Sequence, residues 1–357
     1  MSDAPPTAAP APSHGDVAGR PVVLAYTTAA DEYAALHRHA VIVDRSQRGR
    51  VRVSGPRAAE MVSGLVTNDT TALQPGHGQY AAALSPRGKI VADVRIFVDG
   101  EGVLTDTPPR AADAWLGMLR KYVNPRLAPY RDESQALRCV GVFGPRARDV
   151  MEHATGIGAS ALGLLPMYAH VQVQDGDDAL LVARTPELAV DGFEVFASPA
   201  ACDRLWARAV AAHAVPCGLT AWDIARVEAG RPEWGVDMDD TTIPQEANFD
   251  ELQAISYTKG CYVGQEVVAR LHFRGHTNRN LRGLRAAGSA PPPAGATLAD
   301  PAGKAVGDVR SAVSSPRLGG IALAMIRREV EMGTTLTAAW DGGEMHVDVV
   351  PLPFPTE

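Results

Sequence analysis

Four cysteines in 357 residues are too few and too scattered for a disulfide scaffold. Cys139, Cys202, Cys217 and Cys261 form no CxxC pair and have no histidine at ligand spacing. A self-contained zinc site or four-cysteine cluster is therefore excluded, and a reducing cytoplasm is the expected setting. Lysine is scarcer still beside arginine: four of the 34 basic residues are lysine. There is no dense basic tract, and the net charge is -7. Direct nucleic-acid binding and attachment to an anionic membrane both depend on a positive surface, so neither is expected. No apolar run reaches 18 residues, which removes a transmembrane helix from the reading. The N-terminus lacks a basic start followed by an apolar stretch, so no secretory signal is expected. Also missing are G-x-G-x-x-G, G-x-x-x-x-G-K-[ST], H-E-x-x-H and G-x-S-x-G. Nucleotide-loop, zinc-protease and serine-hydrolase readings lose their best support.

What is present is a mixture of strand-like and helical runs without a βαβ rhythm, which indicates an α+β fold. "RAADAWLGMLRKYV" and "PAACDRLWARAVAAHAV" read as helices. "GQYAAALSPRGKIVADVRIFVDG" reads as a β-hairpin, with Pro86 and Gly88 supplying the turn. Residues 1–19 are rich in Pro and Ala and are expected to be a disordered arm. Residues 20–280 are expected to form an α+β body. Ala286–Leu298 reads as a Pro/Ala/Gly linker or long loop. Short strands with Gly and Pro punctuation follow it, so residues 281–357 are assigned to a small antiparallel barrel.

Three segments carry candidate chemistry. In "KGCYVGQE", Gly260 and Gly264 allow positive φ and close backbone approach. The loop can present Cys261, and Lys259 can favour its thiolate. Such a thiolate serves as nucleophile, redox thiol or metal or cluster ligand. The plainer alternative is a buried small hydrophobe, with Gln265 and Glu266 opening a helix. Asp93 lies in a strongly strand-like run, where an acid either faces solvent or lines a pocket; its type favours solvent. Arg226 and Glu228 end an apolar helix, so Arg226 either clamps a carboxylate or pairs internally. His272 and His276 show no catalytic spacing and are read as surface residues.

The eight residues "KGCYVGQE" resemble the signature of the YgfZ family, K-G-C-Y-x-G-Q-E. From about Ala34 to Phe354 the chain is similar to the superfamily that YgfZ shares with the glycine-cleavage T-protein, the folate-dependent aminomethyltransferase. "VDRSQRGRVRVSGPRAAEMVSGLVTND", the Tyr-to-Asp hairpin, "ARVEAGRPEWGVDM" and the C-terminal strands occur in the superfamily's order. The resemblance implies a three-lobed fold around a tetrahydrofolate channel, and it divides the body over residues 20–280 into two α+β lobes. It places Asp93 at the pterin and its reactive nitrogens, Tyr80 and Phe97 in the pocket wall, and Arg226 near the folate. It makes Lys259, Gly260, Cys261, Tyr262, Gly264, Gln265 and Glu266 a functional loop beside that pocket. One departure stands out: aminomethyltransferases hold the pterin with a Glu where this chain has Val190, in "AVDGFE". The leading expectation is a folate-binding accessory factor for iron–sulfur cluster assembly or repair. Its partners would be iron–sulfur enzymes or assembly proteins, and its effect on tRNA modification would be indirect. The alternative is tetrahydrofolate-dependent aminomethyl transfer. A third reading is a folate-independent binding module that keeps the shell of the fold.

Overall fold

The computed structural model describes residues 11–355. The chain opens with a hairpin of β1 (Ser13–Val17) and β2 (Arg20–Ala25). The disordered arm expected over 1–19 is corrected for residues 11–19, because Ser13–Val17 finds a hydrogen-bonding partner strand; residues 1–10 lie outside the described residues. Then come α1 (Ala29–Arg38), β3 (Val41–Asp44), β4 (Gly49–Val53), α2 (Ala58–Ser63), β5 (His77–Leu84), β6 (Ile90–Asp99), β7 (Gly102–Thr107), α3 (Ala112–Tyr122) and β8 (Tyr130–Asp132). The second lobe adds β9 (Arg138–Phe143), α4 (Ala147–Thr155), α5 (Ala159–Leu164), β10 (His170–Asp175), β11 (Asp178–Arg184), β12 (Gly192–Ala197), α6 (Pro199–Ala211), β13 (Val215–Cys217) and α7 (Leu219–Glu228). After α8 (Gln265–Arg274) come the barrel strands β14 (Arg279–Ala286), β15 (Thr297–Ala299), β16 (Ala305–Ser315), β17 (Gly319–Arg327), β18 (Thr335–Trp340) and β19 (Gly343–Val350).

Local chemistry sets the element ends. Thr28 caps α1 by accepting from the Asp31 N–H, and Asp31 and Glu32 sit in its first turn. Ser198 caps α6 and Pro199 occupies its first turn. The Ser85–Lys89 turn joins β5 to β6, with Gly88 at φ +72°.

Two sheets form the body. One runs β5-β6-β7-β4-β8, all antiparallel. The other runs β10-β11-β12-β9-β3-β13, antiparallel except for the β3–β13 pair. Each sheet buries one face under its own helices. Ala81, Ala83, Ala92, Val94 and Ile96 pack with Val62 of α2 and Trp115 and Leu119 of α3. Val140, Val142, Val182 and Val195 pack with α4 and α6. The opposite faces meet each other through Tyr80, Phe97, Leu104, Cys139, Leu181 and Phe196. Period-two alternation therefore sends Ala92, Val94 and Ile96 outward to the helices, and Asp93, Arg95 and Phe97 inward between the sheets.

The barrel is closed in the order β14-β17-β16-β15-β18-β19, with β19 returning to β14. It begins at Arg279, and the expected linker at Ala286–Leu298 is a loop inside it, because β14 precedes that stretch and already belongs to the barrel. Among the described residues no helix is long and apolar enough to cross a membrane.

α7 ties the body to the barrel. Arg226 is buried and commits its guanidinium in every direction. It donates to Asp237 at 2.7 Å, Ser311 of β16 at 2.9 Å, Asp223 at 3.0 Å and the Arg231 carbonyl at 2.7 Å. Asp237 also receives the Ser311 N–H at 3.1 Å. Glu228, two residues further, accepts from Tyr33 of α1 at 2.7 Å and from Ser315. Replacing Arg226 by Ala would strand the fully buried Asp237 carboxylate. We expect a loss of about 3–5 kcal/mol, read as a lower midpoint of urea unfolding, with Arg226→Lys recovering only part of it.

Candidate functional site

Asp93 is the centre of the inner layer. It is buried, contrary to the solvent-facing position its residue type favours. The reason is the partner face: the strand it occupies is covered on both sides, so no face of β6 is left for water. Tyr80 of β5 donates its hydroxyl to Asp93 Oδ2 at 3.0 Å, while Oδ1 is buried with no partner. Burial raises the Asp93 carboxyl to about 6; Arg48 and the Tyr80 hydroxyl pull it down and Glu233 pushes it up. A carboxyl poised there is able to hold or release a proton near neutrality.

A cross-strand row of charge lies beside it. Arg50, Asp106, Arg95 and Tyr80 sit side by side on β4, β7, β6 and β5. Arg95 pairs with Asp106 at 2.7 Å and reaches across to Glu194 on the second sheet. Arg48 and Arg50 also converge on Asp106. Burial would raise Asp106, but Arg48, Arg95 and Arg50 hold it at about 2. Glu187 precedes β12 and lies 3.6 Å from Arg95 and 3.5 Å from Arg231. Burial is again outweighed, chiefly by Arg95 and Arg231, and Glu187 is held at about 2.

Arg48 and Glu233, the two charged neighbours of Asp93, also line a cavity of about 290 Å³ where body and barrel meet. Arg45, Arg110, Arg226 and Arg310 line it too, with Trp222 and Ser311. Arg45 lies 3.9 Å over the Trp222 ring, with its Nε 3.5 Å from Glu194. The arginines outnumber the acids Asp223 and Glu233, so the cavity suits an anionic group.

The other expected pocket residues fall differently. Phe97 is fully buried, at 5.2 Å from Phe196 and edge-on to His170, so its ring is core and offers no face to a ligand. The Tyr80 ring is packed by Phe249 at 5.2 Å and Tyr168 at 6.4 Å, so its hydroxyl rather than its ring meets the site. Arg226 is the internal clamp described above. Val190 packs against the cluster of Tyr33, Leu188 and Trp222, while Asp191 next to it pairs with Arg184 at 2.9 Å.

The "KGCYVGQE" loop is built by its own hydrogen bonds. Lys259 donates to the carbonyls of Ser63, Val66 and Asn68 at 2.6–2.8 Å, which uses all three of its N–H bonds to finish the end of α2. Burial lowers it to about 8. The ammonium expected to favour the thiolate is thus held by these carbonyls, 4.9 Å over the Tyr262 ring, and lines the same cavity as Cys261. Gly264, at φ +81°, is required because a Cβ would meet the Ser85 carbonyl at 2.5 Å; Gly260 faces open space. Gln265 accepts from the Tyr262 N–H at 3.1 Å, and Glu266 lies in the first turn of α8, so this pair does helix-end work. Cys261 is exposed, beside a cavity of about 450 Å³ lined by Met61, Asp69, Tyr122 and Lys259. That cavity shares no lining residue with the arginine-walled one, although Tyr262 of the loop packs against the inner cluster that contains Tyr80.

Four residues of the centre escaped the sequence reading: Arg48, Tyr168, Glu187 and Arg231. The Gly-Arg-Pro stretch after α7 was a usable signal for a fixed arginine. Tyr168 carries φ +63°, which only the structure reveals.

Comparison with known proteins agrees with the fold. The GCVT N-terminal domain matches residues 13–256, and the glycine cleavage T-protein C-terminal barrel domain matches residues 279–355. An aminomethyltransferase of Rubrobacter xylanophilus is 32% identical over 341 residues, covering 95% of this chain and 89% of its own. One of Nostoc sp. is 30% identical over 335 residues, covering 90% and 86%. The crystal structure of the glycine cleavage system aminomethyltransferase T from Bartonella henselae superposes with a TM-score of 0.84 at 24% identity, covering 96% and 94%, which shows the shared fold. These findings overturn the iron–sulfur accessory role expected first: relatives spanning nearly the whole chain are named aminomethyltransferase, and nothing among them is specific to YgfZ. With both of its domains matched, the chain belongs to the GCVT family, that of the glycine cleavage T-protein.

Proposed function

We propose that this protein is a tetrahydrofolate-dependent aminomethyltransferase. The observation that carries the reading is Asp93: a buried carboxyl raised to about 6, with one oxygen held by Tyr80 and the other unpartnered. An orphaned buried acceptor costs about 1–3 kcal/mol unless a ligand donates to it. Reduced pterins carry ring N–H groups that fit this acceptor, so the residues present suit tetrahydrofolate. Bound there, the folate would supply the nitrogens that accept a one-carbon unit. Asp93 Oδ1 would orient the pterin and exchange a proton with the reacting amine. Arg45, Arg48 and Arg310, lining the neighbouring cavity, would attract the carboxylate tail. Val190 supplies no acceptor, which places more of the pterin's orientation on Asp93. The carboxylate nearest the centre from the same connection is Glu187. The YgfZ-like character of the chain is, on this reading, confined to the loop that presents Cys261.

The test is formation of methylenetetrahydrofolate from an aminomethyl donor on a carrier protein. Asp93→Asn should lower kcat by about 100-fold or more, and the wild-type rate should fall as pH drops through about 6. Undiminished turnover by Asp93→Asn would sink the reading. The same substitution should act in reverse on stability. An acid whose folded pKa is raised destabilises the fold as pH rises from about 4 to about 6, here by about 3 kcal/mol. Asp93→Asn should therefore be more stable than wild type at pH 7 and lose that advantage below pH 4, as read by urea unfolding. For the loop, a thiol reagent should titrate Cys261 rapidly in the native protein and reach Cys139, Cys202 and Cys217 only on unfolding.

A further inference from the structure

Arg231 reaches the centre by a fixed route. α7 ends at Glu228, and Gly230 turns the chain at φ +65°, close under Leu352. The Arg231 N–H donates to the Arg226 carbonyl at 3.1 Å, and the Arg226 side chain donates back to the Arg231 carbonyl at 2.7 Å. With its backbone so held, the side chain makes three contacts. It donates to the Tyr168 hydroxyl at 2.9 Å, lies 3.5 Å from Glu187 and sits over the Tyr80 ring, 5.0 Å from its centroid. The Tyr80 and Tyr168 rings are within 9° of parallel. One guanidinium thus touches one phenol through its hydroxyl and the other through its face.

A tyrosine hydroxyl sits at the end of a long lever, and a small rotation about χ1 moves it out of hydrogen-bond range. The Tyr80 hydroxyl donates to Asp93 Oδ2 at 3.0 Å. We propose that Arg231 is a positioning residue: it holds the Tyr80 ring so that the hydroxyl stays on Asp93 Oδ2, which leaves Oδ1 free for substrate. The consequence for turnover rests on the proposed transfer reaction; the hold on the hydrogen bond does not.

The charged and titratable groups facing Asp93 are Tyr80 from β5, Arg48 from the β3–β4 connection and Glu233 from the segment after α7. Arg48 remains held by Asp106, and Glu187 keeps Arg95, when Arg231 is replaced. A change in Asp93 on replacing Arg231 therefore reports chiefly on Tyr80. Losing the Tyr80 hydrogen bond removes a donor to the ionised form, so the Asp93 titration must move up.

The experiment is a carboxyl-carbon NMR titration of Asp93 in the full chain, with Asp93→Asn to assign the signal. The proteins compared are wild type, Arg231→Met, Tyr80→Phe and the double variant. Arg231→Met and Tyr80→Phe should each raise the Asp93 midpoint by about 0.5–1 pH unit, and the double variant should move no further than Tyr80→Phe. Arg231→Lys, which keeps a cation over the ring, should return the midpoint most of the way. Should Arg231→Met fail to fold, Arg231→Gln is held to the same criteria. An unchanged midpoint on replacing Arg231, or a double-variant shift equal to the sum of the two, overturns the proposal; the latter would mean Arg231 acts through its own charge. In the transfer assay, Arg231→Met should lower kcat about ten-fold with KM for tetrahydrofolate within about two-fold. A wild type inactive in that assay would reject the proposed reaction, while the NMR titration would still decide the role of Arg231.

Discussion

The centre of this molecule depends on Arg95. Its guanidinium is almost wholly buried and bridges the two sheets, bound to Asp106 on its own and to Glu194 on the other. Taking such charges out of water costs several kcal/mol per ion, and only close, multiply bonded partners offset it. Arg45, Arg48, Arg50 and Arg95 therefore surround Asp106, Glu187 and Glu194 as one lattice. Apolar replacements of buried ion pairs are often as stable or more so. The lattice gives direction instead: it fixes the register of one sheet face against the other, and with it the place where Asp93 stands.

Asp93 is the contrasting case. Every acid of the lattice has an arginine against it, and Asp106 and Glu187 are held low. Asp93 has Tyr80 and a more distant Arg48, and it is held high. Two carboxyls on adjacent strands, Asp93 on β6 and Asp106 on β7, are driven apart by environment alone. That separation marks which acid is structural and which has a proton to exchange.

The hairpin around Asp93 was legible because Pro86 and Gly88 fix a turn and the flanking residues alternate. The barrel was legible from its short strands, and α6 and α7 from their apolar faces. Burial of Asp93 was not. The strand reads as half-polar, and only the second sheet, whose strands come from residues 41–44 and 138 onward, removes water from that face. The same reason hides Arg231 and Glu187, which are brought to Tyr80 by contacts between distant segments. In the other direction, "KGCYVGQE" looked like the site because its residue types are chemically rich. Most of them turn out to be engaged in closing a helix end and starting another. Residue types that make good catalysts also make good caps, and sequence spacing alone does not separate the two uses.

α7 has a consequence for how the protein can be divided. Its last turn and the three residues after it join α1 to the barrel through Glu228, hold β16 through Arg226, and reach the Tyr80 ring through Arg231. The barrel contributes few groups to the centre, yet it holds the arginine that holds the next arginine. A chain cut before Arg279 would keep both body sheets and all of Asp93's strand neighbours. It would lose Ser311 and the backing of Leu352 behind Gly230, and with them the fixed end of the lever. The two sequence domains are thus a single functional unit, and neither should be expected to work when borrowed alone.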